Sequence, residues 1–142
     1  MSLNPITIRN LGPEDAHIID RIKPGTFENL DPSRAWALLA TRVNELVVAL
    51  DRGEVVGYCY GTMVMHLDKP SEFFVSAIGV HPEHRRQGVA TRMLRRLHDL
   101  ARDRGCERVW VLSAEGDEAF RAFLSALDGN DIGLTHLHDW PL

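Results

Sequence analysis

The sequence has little cysteine, no long apolar run and no glycine-rich nucleotide loop. Its two cysteines, Cys59 and Cys106, lack metal-ligand spacing and are more simply explained as buried or half-buried thiols of a reducing compartment. No apolar run approaches the roughly 20 residues that a membrane span needs. The polar segment Met1–Asn10 lacks the apolar stretch of a secretory signal. These absences predict a cytoplasmic protein with no membrane contact.

Size and composition predict one soluble domain. The chain has 142 residues, of which 44% are hydrophobic and 25% charged, close to the average for a globular domain. That length is enough for one sizeable core but not for two. No linker, repeat or low-complexity stretch interrupts it. We therefore expect a single domain spanning residues 1–142.

Charge is unevenly distributed along the chain. The net charge of −4 argues against a nucleic-acid partner. Residues 85–108 hold eight arginines and three acids, a net charge of +5, so the remainder carries −9. A basic segment in an acidic protein suggests a local anion site and a second, cationic ligand. The alternative is a helix whose solvated face is rich in arginine.

Hydrophobic periodicity predicts alternating strands and helices. Asp31-Pro32 is typical of a helix start, and Asp51-Arg52-Gly53 of a hairpin turn. From Gly88 onward, apolar residues recur at spacings of three and four, which indicates an amphipathic helix. Strands are predicted at about 6–9, 45–50, 54–65, 72–80, 108–112 and 135–139, and helices at 13–22, 33–42, 88–104 and 117–127. This order predicts an α/β (α+β) domain with a mixed sheet flanked by helices.

The chemically informative stretch is the strand ending at Val80, the loop 81–87 and the helix from Gly88. A helix N-terminus has unpaired backbone N–H groups and a partial positive charge, so it binds anions such as phosphate. Gly88 allows a phosphate to approach the backbone, Ala90 keeps the first turn narrow, and Arg85 and Arg86 add positive charge. A pyrophosphate matches this pattern better than a single phosphate. An ordinary strand–loop–helix connection is the alternative.

The segment Arg85-Arg86-Gln87-Gly88-Val89-Ala90 resembles the acyl-CoA signature of the Gcn5-related N-acetyltransferases (GNAT), which has the form Arg/Gln-x-x-Gly-x-Gly/Ala. The strand end Ile78-Gly79-Val80 and the phrase His81-Pro82-Glu83-His84 before it match the same family. The predicted element order matches over nearly the whole chain. Residues 69–72 and the short chain also resemble the aminoglycoside 3-N-acetyltransferase branch.

The resemblance implies acetyl-CoA as the acetyl donor and assigns its binding residues. Main-chain groups of Ile78 and Val80, at the strand end that includes Gly79, would pair with the pantetheine arm. A bulge near the end of that strand would open the cleft, and a strand N–H there would polarise the thioester carbonyl. The pyrophosphate would be held through backbone amides of Arg85, Arg86, Gln87, Gly88, Val89, Ala90 and Thr91.

The sequence departs from the family at the positions expected for the acid and the base of the reaction. Many members of the family carry a tyrosine acid in the helix predicted at 117–127, where this chain has Phe123 or Leu124. The aspartate of the aminoglycoside branch corresponds to Ala77. Glu72 is the remaining carboxylate for a base acting through water, and a solvated strand-edge glutamate is the alternative. His136 and His138 do not suffice to predict a metal site.

Three functions follow as hypotheses. The first is an N-acetyltransferase for a small cationic amine of the aminoglycoside or polyamine type, active as a monomer or a homodimer. The second is a catalytically weakened acyl-CoA-binding module, which the missing tyrosine and aspartate favour. The third, a nucleotide-binding domain, is disfavoured because neither a Walker loop nor a Gly-x-Gly-x-x-Gly turn is present.

Overall fold

The computed structural model describes residues 5–142 and divides into two compact units. The first unit extends to Val111 and the second is Leu112–Leu142. The prediction about Met1–Asn10 lies partly outside the described residues. The expectation of one domain over residues 1–142 stays a prediction.

The first unit is built on a five-stranded mixed sheet, as the sequence predicts. The strands lie side by side in chain order; the first four are antiparallel, and the last runs parallel to the fourth. They are β1 Thr7–Leu11, β2 Asn44–Asp51, β3 Glu54–Val64, β4 Glu72–Val80 and β5 Val109–Trp110. The helices of this unit are α1 Pro32–Ala40 and α2 Val89–Asp103, with 3-10 segments at Pro13–Arg21 and Pro82–His84.

Each face of the sheet is covered by helical segments. On one face lies α2, whose Met93 is fully buried and comes so close to β3 that a Cβ on Gly57 would lie 3.0 Å from its Cε atom. The other face carries a core cluster that includes Ile18 of the 3-10 segment and Leu39 of α1. The sheet is therefore covered on both sides, which leaves its edges as the places where main-chain groups can be free.

Two arginines of α2, and the arginine that follows the helix, contact the chain at or near the sheet. Arg92 donates to the carbonyl oxygen of Ile6 at 2.9 Å, and Arg96 to Asn10 Oδ1 at 2.8 Å. Arg104 pairs with Glu45 at 2.7 Å. Several arginines of segment 85–108 are therefore engaged within the fold, whereas Arg86 at its N-terminal end and Arg95 on the helix surface have no ion pair among residues 5–142.

The second unit contains one helix, α3, Glu118–Ala126. Its N-cap Asp117 accepts a hydrogen bond from the backbone N–H of Phe120 at 3.1 Å, as expected for an acidic cap. Phe120 and Phe123 stack with ring centroids 6.2 Å apart. The helix prediction at 117–127 is confirmed to within a residue at each end.

Two strand predictions differ from the structure. The strand predicted at 135–139 is wrong, because residues 128–142 form no regular element and their side chains are exposed. Alternating His136 and His138 have no apolar face to bury, so the pattern alone does not form a strand. The strand predicted at 108–112 is reduced to Val109–Trp110, because β4 pairs with β5 only at Phe73 and Phe74.

Candidate active site

A β-bulge interrupts the middle of β4. Tyr60 of β3 pairs with Ala77, and the next residue, Gly61, pairs with Val75, so Ser76 is an extra residue on β4. Gly61 is required there, because a Cβ at this position would clash with the carbonyl oxygen of Phe74. A bulge of this kind bends its strand and disrupts the ladder locally. The bulge predicted from the resemblance therefore lies at Ser76, a few residues before the strand end.

Beyond the bulge, the outer edge of β4 is open. The parallel ladder with β5 includes Phe73 and Phe74 only. Among the described residues 5–142, no strand pairs with this edge of β4 from Val75 to Val80. A sheet edge of this length exposes a row of main-chain donors and acceptors that an extended ligand can pair with.

Register shows which residues point their main-chain groups toward the open edge. The N–H of His81 donates to the carbonyl of Val56 on β3 at 2.8 Å. In an antiparallel ladder, hydrogen-bonded pairs alternate with non-hydrogen-bonded ones. Residues 79 and 77 then bond to β3, whereas Ile78 and Val80 direct their N–H and C=O groups outward. This supports the predicted role of these two residues toward a pantetheine arm.

The N-terminus of α2 presents free amides next to positive charge. Gly88 is the N-cap, with φ of 77° in the left-handed region, and no side chain caps the helix. The first intrahelical bond runs from the Arg92 N–H to the Gly88 carbonyl at 3.1 Å, so the preceding amides have no intrahelical acceptor. A Cβ on Gly88 would meet no atom within 4 Å, which leaves open space for a ligand.

The other predicted signature residues line the same turn. Val89, the first residue of α2, is buried, while Ala90 and Thr91 are half-buried in the same turn. Arg86 is exposed, with φ of 60°, and it has no hydrogen bond or ion pair to any of residues 5–142. Its guanidinium is thus available to an anion. Gln87 is exposed and donates to the Glu83 carbonyl at 3.4 Å.

Three hydrogen bonds fix the loop that precedes the helix. The Arg85 Nε donates to the Val80 carbonyl at 3.1 Å, so this arginine is oriented along the open edge of β4. His81 is buried; its Nδ1 accepts from the Glu83 N–H, so its Nε2 carries the proton donated to the Pro24 carbonyl at 3.0 Å. The loop is therefore held in place before any ligand binds.

Glu72 lies in a different environment from the solvated strand edge considered above. It is 4% exposed, and its carboxylate contacts His66 at 2.8 Å, Lys69 at 3.2 Å and Arg108. Burial would raise the pKa of Glu72, but the hydrogen bonds from Lys69, Arg108 and His66 outweigh it and the pKa is lowered. A carboxylate held in this way is a weak base. Its geometry favours a structural role, and the base role stays a prediction.

One tyrosine that the sequence pattern did not single out lies beside the signature strand. Tyr58 of β3 pairs with Gly79, and a Cβ on Gly79 would lie 2.5 Å from Tyr58 Cζ. Gly79 is therefore needed to make room for this ring. The signal that could have revealed the contact is a glycine opposite an aromatic residue in adjacent strands, and register is needed to recognise it.

Within residues 5–142, no group of three or more His, Cys, Asp or Glu side chains is placed to hold a metal ion. No helix of these residues is long and apolar enough to cross a membrane.

Comparisons with known proteins give the family. The profile described as the acetyltransferase (GNAT) family matches residues 15–127. N-alpha-acetyltransferase RimI of Mycobacterium tuberculosis is 35% identical over 101 residues, which cover 69% of this chain. The match spans 63% of the length of that relative.

Solved structures confirm the fold. An aminoglycoside acetyltransferase from an uncultured soil metagenomic sample, in complex with sisomicin, has a TM-score of 0.81 at 16% identity over 96% of this chain and 97% of its own. Ribosomal-protein-alanine N-acetyltransferase from Brucella melitensis has a TM-score of 0.74 at 21% identity, with coverage of 96% and 100%. The likeness to the 3-N branch stays a prediction. The chain belongs to the acetyltransferase (GNAT) family.

Proposed function

We propose that this chain binds acetyl-CoA at the open edge of β4 and the N-terminus of α2, and transfers the acetyl group to an amine. The observation that carries the proposal is the juxtaposition of these two features in one segment, 75–91. Free amides and Arg86 match an anionic pyrophosphate. The outward main-chain groups of Ile78 and the outward N–H of Val80, whose carbonyl already accepts from Arg85, can pair with the amides of a pantetheine arm.

Bound acetyl-CoA would supply an activated acyl group. The chain would position the thioester and polarise its carbonyl group. The bulge at Ser76 interrupts the ladder with β3 two residues beyond Phe74, the last residue of β4 that pairs with β5. An N–H group directed outward from the edge beyond the bulge can donate to an oxygen on which negative charge develops. Ile78 is the residue whose main chain has that orientation nearest to the bulge.

For the acceptor, we propose a small cationic amine. Outside residues 85–108 the chain carries a net charge of −9, which favours a polycation by long-range attraction. The exposed Glu28 lies close enough to Tyr58 to raise its pKa, which places negative charge on the side of the sheet opposite α2. The competing acceptor is a peptide N-terminus, because the relative from Mycobacterium tuberculosis is an N-alpha-acetyltransferase by name.

The acceptor test compares rates of CoA release from acetyl-CoA with four kinds of amine. An aminoglycoside and a polyamine are set against a neutral amine and a peptide with a free N-terminus, each at low and high salt. We expect the highest kcat/KM for the polycations, falling with salt because screening shortens to about 8 Å at physiological ionic strength. Equal rates without a salt effect would overturn the cationic acceptor, and a preference for the peptide would replace it.

An acyl-CoA-binding module with weakened catalysis is the second candidate. It is favoured by α3, in which no tyrosine is present, and by Glu72, whose carboxylate is already engaged by three partners. Calorimetry with CoA and turnover with the amine panel separate the two functions. Tight binding without turnover of any amine would support the module, whereas turnover with one of them supports the enzyme.

A further inference from the structure

The chain contains two tyrosines, Tyr58 and Tyr60, and both are on β3. Tyr58 lies opposite Gly79, one residue from the outward-facing Ile78 and one from Val80. The contact is close, because a Cβ on Gly79 would lie 2.5 Å from Tyr58 Cζ and closer still to the hydroxyl oxygen. The phenol of Tyr58 therefore extends from β3 over the main chain of β4 at Gly79. This part of β4 is the segment whose outer edge is open.

The Tyr58 hydroxyl is held in place but has no partner. Its ring packs on Phe27 with centroids 4.4 Å apart and lies 6.2 Å from the ring of Tyr60. No described residue forms a hydrogen bond with the hydroxyl, and it is not among the buried unpaired polar atoms of residues 5–142. A fixed donor that is open to solvent is suited to a ligand rather than to stabilising the core.

We propose that the Tyr58 hydroxyl is the proton donor for the departing sulfur in the acetyl transfer. The bond between the acceptor nitrogen and the acetyl carbon forms, and the carbon–sulfur bond breaks. The sulfur takes the phenolic proton, and the proton lost by the nitrogen restores the phenol, so the reaction needs no further reactant. This inference rests on the proposed use of acetyl-CoA and assigns the acid that α3 does not provide.

The surroundings of Tyr58 keep the proton available. Burial, followed by the neighbouring Tyr60 and Glu28, raises the pKa of Tyr58 above its ordinary value of 10.0, while Arg85 acts in the opposite direction. The phenol is thus protonated at neutral pH and can donate. The thiol of the next residue, Cys59, is fully buried and has its pKa raised by burial to about 12, so it is less suited to donate a proton.

The test uses Tyr58→Phe, with Tyr60→Phe as the matched control, since each variant removes only a hydroxyl from β3. We expect Tyr58→Phe to lower kcat by about 100-fold, within the usual contribution of general acid catalysis, with CoA affinity unchanged by calorimetry. Tyr60→Phe should stay within about threefold of the wild type. Thermal unfolding of both variants checks that the packing on Phe27 is retained.

A second readout does not depend on turnover. With isotope-labelled tyrosine, the two ring signals in a nuclear magnetic resonance spectrum are assigned by the two variants, and CoA should shift the Tyr58 signal more than the Tyr60 signal. Gly79→Ala should displace the hydroxyl and lower kcat, with little further loss in the double variant with Tyr58→Phe.

Two results would overturn the assignment of Tyr58, and a third concerns the proposed function. It is overturned if Tyr58→Phe keeps kcat within about threefold, or if CoA leaves the Tyr58 signal unmoved while it binds. Failure of the wild type to bind CoA would instead remove the proposed function, so the two failures are distinguishable.

Discussion

The two ends of β4 differ in how their polar groups are satisfied. At the start, Glu72 is buried among His66, Lys69 and Arg108, and the next two residues pair with β5. At the end, residues 75–80 have an outer edge without a strand partner among the described residues, and the chain continues into a helix whose first amides are free. One strand thus has a closed end and an open end, separated by a bulge.

This difference between the two ends of β4 distinguishes polar groups that stabilise the fold from polar groups that can bind a ligand. Buried polar groups that find partners within the fold stabilise it, whereas polar groups left free can bind a ligand. The sequence-based choice of Glu72 as a base selected a carboxylate at the closed end. At about 3.3 Å per residue, Glu72 lies roughly 13 Å along the strand from the bulge at Ser76. The residues suited to chemistry are therefore expected beyond the bulge.

The largest effect is expected when a negative charge is introduced at the open end, at the N-terminus of α2. Gly88→Glu places a carboxylate where the phosphates would bind, and like charges about 4 Å apart repel by roughly 4 kcal/mol near a protein surface. We expect CoA affinity to fall by about 100-fold or more, measured by calorimetry.

The matched control for that variant is Gly105→Glu at the other end of α2. Gly105 also has a left-handed backbone, with φ of 81°, and open space for a Cβ. Both variants should lose about 1–2 kcal/mol of stability from the strained backbone, but only Gly88→Glu should lose CoA binding. Equal CoA affinity in the two variants would remove α2 from the site.

The next largest effect is expected at the bulge. Gly61→Ala should destabilise the fold by about 1–3 kcal/mol, because the added methyl group meets the Phe74 carbonyl and β3 must move away from β4. Activity should fall with it. Gly57→Ala on the same strand meets the flexible Met93 side chain and Ala49 Cβ and should cost less. Chemical denaturation measures the free energy of unfolding of both variants. A smaller loss of stability in Gly61→Ala than in Gly57→Ala would contradict the account of the bulge.

At the closed end, Glu72→Gln should lower stability while leaving CoA affinity unchanged. Because the pKa of Glu72 is depressed in the folded state, its stabilising contribution is fully present above the unfolded value near 4.5 and is lost as the pH falls through the lower folded value. The difference in the free energy of unfolding between the wild type and Glu72→Gln should therefore become smaller at acidic pH. Denaturation midpoints across pH measure it, with the exposed Glu107→Gln as control.

The same variant decides the catalytic prediction for Glu72. Its contacts with three cationic or protonatable side chains lead us to expect a kcat within a few-fold of the wild type around neutral pH. A large loss of kcat with unchanged stability would restore the base role.

The smallest effect is expected for the free guanidinium at the open end. Arg86→Ala should weaken CoA binding about two- to fivefold, since an exposed charge pair contributes up to about 1 kcal/mol, and the loss should diminish at high salt. Arg95 lies on the exposed side of α2 and serves as the control through Arg95→Ala. Equal losses in both variants would indicate a general charge effect instead of a contact.

Local patterns predicted most of the fold. The hairpin turn at residues 51–53, the limits of β4 and the amphipathic α2 each depend on residues near in sequence, and each is confirmed. The start of the helix near Gly88 is also predicted by a local signal. In the structure Gly88 is the N-cap of α2 and has a left-handed backbone. The helix N-terminus of the candidate site could therefore be located without the structure, and its binding of phosphate stays a prediction.

Features that depend on register and on distant partners could not be predicted in this way. The partners of Glu72 come from three separate positions, 66, 69 and 108, so its burial is not visible in the strand pattern. The contact of Tyr58 with Gly79 joins two strands and depends on the bulge at Ser76. The pattern at 135–139 alternates without apolar residues on one face, and no strand forms.

The most direct test of the open end is amide hydrogen exchange, resolved by residue, with and without CoA. At CoA concentrations about 100 times Kd, binding can slow exchange by up to about 100-fold. We expect this protection at the outward amides of Ile78 and Val80 and in the first turn of α2, with little change at Phe73, whose N–H already bonds to the Arg108 carbonyl at 2.9 Å. Unchanged exchange at Ile78 and Val80 while CoA binds, or equal protection at Phe73, would contradict the account.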